Sequence, residues 1–124
     1  VREGIDAQRW SLLHPDQEPR TPYVAAALGD HPGPVVAATD YMRIHADGIR
    51  PFLEDRRYRV LGTDGFGRSD DRAALRTFFE VNRHYVALAA LKTLAEEGSV
   101  PASKVGEAIT RYGIDPDKPN PVTV

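Results

Sequence analysis

Gly62, Gly67, Arg68 and Ser69 stand at the spacing G-x-x-x-x-G-K-[ST], with arginine in the lysine position. A loop of that form surrounds phosphate oxygens with backbone N–H groups and a cation. Asp40 and Asp64 each fall just past a short apolar run. At the carboxyl ends of two parallel strands they would sit on the edge where open α/β sheets bind ligands, as an acid pair or with Asp40 as a metal-binding acid. Both also suit helix capping or loop bracing. Three residues oppose the phosphate reading. Arg68 presents a planar fork where a compact ammonium is needed, Asp64 puts negative charge inside a loop meant for anions, and Phe66 fills a loop position with a ring. A dinucleotide fingerprint fails as well, because Gly65-x-Gly67 is followed by Asp70 where the third glycine belongs.

A structural reading accounts for the same residues. Gly62, Gly65 and Gly67 permit positive φ and a sharp path. Phe66 turns inward as an anchor, and Ser69 or Asp70 caps the next helix, whose positive end Asp70 and Asp71 both suit. Other constellations are weaker. No two of His14, His31, His45 and His84 have i, i+4 spacing, and no cysteine joins them. Gly67-Arg68-Ser69-Asp70-Asp71 lacks the closing glycine of a nucleophile elbow. No catalytic constellation emerges.

The elements that position the loop follow from pattern. A helix is expected over Asp6–Leu13, with Trp10 and Leu13 on one face. Thr21 and Pro22 predict an N-cap and first position for a helix over Tyr23–Leu28, ended by Gly29. Val35–Thr39 reads as a strand covered on both faces. Asp40 then caps a helix carrying Met42, His45, Ala46, Ile49, Phe52 and Leu53 inward, which Pro51 kinks or splits. Tyr58–Leu61 is the second strand, giving a right-handed β-α-β unit. Leu75, Phe78 and Phe79 mark a short helix. Asn82 caps a longer one with Val86, Ala90, Leu91 and Leu94 inward, closed by Gly98. Pro101 opens a last helix with Val105, Ala108, Ile109 and Tyr112 in a stripe, ended by Gly113, and residues 114–124 form a surface tail. Two strands make a poor sheet, so a further strand is expected, either within the first 20 residues or upstream.

The 124 residues suffice for one domain, 1–124. A net charge of -2 gives no reason to expect nucleic acid, and Arg56, Arg57 and Arg59 are balanced locally by Glu54 and Asp55. With no cysteine, disulfides and thiolate metal sites are excluded, which fits a reducing cytoplasm. No apolar run approaches the roughly 20 residues that span a bilayer, so no membrane is expected.

The stretch Leu61–Asp70, then Leu75, Phe79-Glu80-Val81 and the helix with Val86 to Leu94, resembles the C-terminal domain of transketolase-like thiamine diphosphate enzymes. Within that superfamily the residues are similar to the homodimeric first component of bacterial pyruvate dehydrogenase complexes. They include Arg9-Trp10, Leu13-His14-Pro15, Thr21-Pro22-Tyr23-Val24, Thr39-Asp40-Tyr41-Met42 and Ile114-Asp115-Pro116. Asn82, where aspartate is expected, departs from the pattern but caps equally well.

The resemblance implies a three-layer αβα domain with a mainly parallel sheet, lacking its N-terminal strand, as a fragment of the third domain of a longer subunit. It further implies a cytoplasmic enzyme that decarboxylates pyruvate and reductively acetylates lipoyl groups of an acetyltransferase component. Thiamine diphosphate and Mg2+ would bind in upstream domains of the homodimer. None of the family's catalytic, cofactor-binding or metal residues maps onto this segment, whose role would be structural and dimerising. His45, Phe52 and Tyr41 are candidates for packing or interfaces. A small nucleotide-binding protein using Gly62–Ser69 as a phosphate cradle is the alternative.

Overall fold

The computed structural model describes residues 1–65 and 68–124. Phe66 and Gly67, and with them the expected Phe66 anchor, lie outside the described residues.

Two four-residue strands, β1 (Val35–Ala38) and β2 (Tyr58–Leu61), pair in parallel with Val35 opposite Tyr58 and Ala38 opposite Leu61. The pairing continues past the strand ends, where Thr39 N–H donates to Leu61 O and Thr63 N–H to Tyr41 O. The connection holds α3 (Arg43–Asp47) and a single 3₁₀ turn at Arg50–Phe52. Pro51 thus divides the expected helix, because its ring cannot follow a continuing α-turn. Leu53, Tyr58 and Val60 form the buried centre, with Leu28, Val35, Ala37, Ala46 and Ile49 packed around them. Tyr58 is held at both ends: its hydroxyl donates to Ala46 O (2.6 Å), and its carbonyl accepts from Arg50 (2.8 Å).

Helix α1 spans Arg2–Leu13, starting a turn earlier than its apolar pattern suggests. Its early turn is fixed by tertiary contact. Phe52 lies across Gly4 so closely that a Cβ there would fall 2.6 Å from the ring. Helix α2 (Tyr23–Gly29) has Pro22 at its N-cap position, and Thr21 does not cap it. The cap comes from another helix instead, as Glu3 of α1 accepts from Tyr23 N–H at 2.8 Å.

Past the glycine loop come α4 (Arg72–Phe78), α5 (Arg83–Glu96) and α6 (Ser103–Arg111). Asn82 caps α5, accepting from His84 N–H and Tyr85 N–H. Helix α5 packs across both strands and α3 packs on β2, so the sheet lies between helices. The innermost face of α5 is Ala89 and Thr93; Val86, Ala90, Leu91 and Leu94 are only half-buried. Thr93, 2% exposed, returns its hydroxyl to Ala89 O (2.7 Å) and accepts from Arg59 (3.2 Å). Arg59 and Arg57 also reach Glu96, and Arg56 binds the carbonyls of Leu28 and Gly33. The basic cluster is therefore spent holding α5 and the turn before β1 to the sheet.

Residues after Gly113 lie against the body, with Pro121 buried. Lys118 donates to Phe78 O (2.8 Å) and pairs with Glu80 (3.2 Å). Glu80 itself holds φ +63 at the α4–α5 corner, an unusual conformation for a non-glycine residue.

Candidate functional site

Beyond the carboxyl ends of β1 and β2 lies a cleft of about 380 Å³. Leu75, Phe79 and Val81 form its apolar floor. Its polar rim carries Asp40, Thr63, Arg68, Asp70, Arg72 and Arg76. The arginines recur every fourth residue, a spacing visible in the sequence.

Asp40 and Asp64 occupy equivalent strand ends but do different work. Asp40 does not cap α3, whose N-cap is Met42. It takes both hydrogen bonds of a forked contact with Arg76, at 3.2 and 2.8 Å. That bonding holds the Asp40 carboxyl below its ordinary value of 3.8, against an opposing effect of burial, with the Arg76 and Arg72 charges adding to it. Asp64 turns the other way. One oxygen accepts from Arg43 N–H at the start of α3 (3.1 Å), and the other lies 3.3 Å from Arg43 Nε. Asp64 therefore braces loop to helix and is no partner for Asp40.

The glycines divide similarly. Gly62 has no positive φ; it is needed for space, since a Cβ would fall 2.6 Å from Arg43 Cγ and 3.0 Å from Arg43 N and Tyr41 O. Gly65 does hold a positive φ of 86°, against Val122 of the tail. Neither Ser69 nor Asp70 caps α4: Asp71 does, accepting from Ala74 N–H at 2.8 Å, while Asp70 accepts from Asp71 N–H. An aspartate one residue closer to the helix reaches its third N–H, which the expected residues cannot.

These commitments bear on the chemistry. With Asp40 bonded to Arg76 and Asp64 to Arg43, neither carboxylate suits a magnesium ion. Among the described residues no group of three or more histidine, aspartate or glutamate side chains could hold a metal. Three histidines pack against rings, with His14 stacked on Trp10 at 4.2 Å between centroids and His84 tilted against Tyr112, whereas His31 is exposed. His45 stacks on Tyr41, and Phe52 is buried.

Tyr41 (61% exposed), Met42 and Ile44 (70%) leave an apolar surface at the strand ends. Ile5, Leu12, Leu13 and Tyr23 leave another on α1 and α2. The chain exposes 8654 Å² in all, where a compact monomer of its mass exposes about 6,600 Å². No helix among the described residues is long and apolar enough to cross a membrane.

The chain is 58% identical over its full length to the pyruvate dehydrogenase E1 component of Cupriavidus necator, of which it covers 14%. It is 54% identical over 98% of its length to the protein of the same name from Pseudomonas aeruginosa, again covering 14%. For the Escherichia coli protein the figures are 49%, 98% and 13%. The chain thus spans about one-seventh of the length of the curated relatives it matches. Residues 2–82 match the transketolase-like TK C-terminal domain, which takes in both strands, their crossover and the whole cleft-forming loop and helix. The match spans the parallel β-α-β unit, and the chain belongs to the transketolase-like TK C-terminal domain family.

Proposed function

We propose that this chain is a structural, dimerising domain of a pyruvate dehydrogenase first component, the third α/β domain of a longer subunit. The observation that carries this reading is the 58% identity over every residue of the chain against 14% of the relative's length. In the whole enzyme, thiamine diphosphate and Mg2+ sit in the other domains, between subunits of a homodimer in the cytoplasm. Pyruvate is decarboxylated there, and the acetyl unit passes to lipoyl groups of an acetyltransferase. The surface supports a scaffold role. It exceeds that of a compact monomer by about 2,000 Å², the size of a substantial protein interface. The exposed apolar side chains of Tyr41, Met42 and Ile44 offer a face for a neighbouring domain or subunit.

Two measurements test the reading. Calorimetry on the separate chain should give no stoichiometric thiamine diphosphate binding. Removing the chain from the complete polypeptide should convert dimer to monomer in sedimentation and abolish pyruvate decarboxylation. Stoichiometric cofactor binding by the separate chain, or an intact dimer without it, would overturn the proposal.

A further inference from the structure

Among the described residues, one cation of the cleft at the strand ends has neither a carboxylate nor a ring as partner. Arg76 is committed to Asp40 by two hydrogen bonds, and Arg68 lies over the Phe78 ring at 4.7 Å. Arg72, between them in sequence, has no carboxylate within salt-bridge distance among the described residues. It is nonetheless close enough to lower the pKa of Asp40. The cleft that Arg72 lines also carries the apolar side chains of Leu75, Phe79 and Val81, of which Phe79 and Val81 are buried.

The charges around the cleft select among anions. Arg68, Arg72 and Arg76 face Asp40 and Asp70, leaving one net positive charge. A phosphate or nucleotide would bring two or more negative charges next to both aspartates, which is unfavourable at these separations. A single carboxylate matches the surplus and the planar fork of a guanidinium. The apolar floor adds what a bare inorganic ion could not use. At about 380 Å³ the cleft lies at the small end of the range for organic ligands.

We propose that this cleft binds a small organic monocarboxylate with an apolar body, its carboxylate on Arg72 and its body on Leu75, Phe79 and Val81.

Hexanoate is a suitable probe, hexanamide its uncharged counterpart, and inorganic phosphate and ATP the polyanionic arms. In calorimetry on the complete polypeptide, hexanoate should bind saturably and hexanamide about tenfold or more weakly. Arg72→Gln should weaken hexanoate about tenfold or more, while Arg72→Lys, which keeps the charge but loses the fork, should weaken it less. Arg72 is exposed and bears no ion pair, so the Gln variant should melt within about 1 °C of the parent. Equal binding of hexanoate and hexanamide, an unchanged affinity in Arg72→Gln, tighter binding of phosphate or ATP, or no saturable hexanoate binding would each overturn the proposal.

Discussion

The two strand ends of this molecule start from the same position and reach opposite outcomes. Each strand runs into an aspartate near its carboxyl end, on the same side of the same sheet. Behind β2, Asp64 reaches a backbone N–H and is one-third exposed; behind β1, Asp40 reaches a side chain and is 62% exposed. The first fixes the path of the chain, and the second shapes a surface. A carboxylate bonded to backbone cannot be exchanged without moving the fold. One bonded to an exposed arginine can be exchanged at little cost, and so the β1 side, not the β2 side, can change its surface without moving the fold.

The sharpest way to break this contrast is Gly62→Ala. Two of the atoms it would meet, Arg43 N and Tyr41 O, are backbone and cannot swing away. We expect a loss of about 1–3 kcal/mol in urea unfolding, and a neutral result would mean that the β2 end is looser than its contacts indicate. Asp64→Ala comes next. Removing the acceptor of Arg43 N–H should cost about 1–2 kcal/mol, the usual range for a lost helix cap.

Asp40→Asn should cost well under 1 kcal/mol at neutral pH, because an exposed ion pair is screened by water. Its pH dependence has a definite sign. The folded carboxyl is held below 3.8, so its contribution is complete above that value and fades as pH falls through the lower folded one. Wild type and Asp40→Asn should therefore converge in acid, and 1 M salt should bring them together at pH 7 while leaving the Asp64→Ala difference largely intact. A salt response of the same size at both ends would erase the distinction.

What could be read from sequence was what is local. Asn82 announces α5 because a cap bonds residues two and three positions ahead, and Pro51 announces the break in the crossover because its ring acts on its own turn. The parallel pair followed from two apolar runs separated by a helical pattern. The misses involve partners far along the chain. Asp40 looks like a cap until Arg76, 36 residues on, offers a charged fork. Tyr23 takes its cap from Glu3, 20 residues back. Thr93, absent from the apolar pattern, is 2% exposed because its hydroxyl turns back to Ala89 O and accepts from Arg59, 34 residues before it. The cleft itself was half legible. Arg68, Arg72 and Arg76 repeat every fourth residue, but that Arg76 reaches Asp40 is a property of the crossover.

Lys118 gives the corner between α4 and α5 a dependence on the far end of the chain. Its ammonium bonds the carbonyl of Phe78 and the carboxylate of Glu80, the two residues flanking buried Phe79. Releasing the tail would leave Glu80 in its left-handed conformation with no counterion to hold it, and the corner would fray first. The segment around Lys118 and the floor of the cleft should therefore open together, and Lys118→Ala should speed amide hydrogen exchange from Phe79 to Val81.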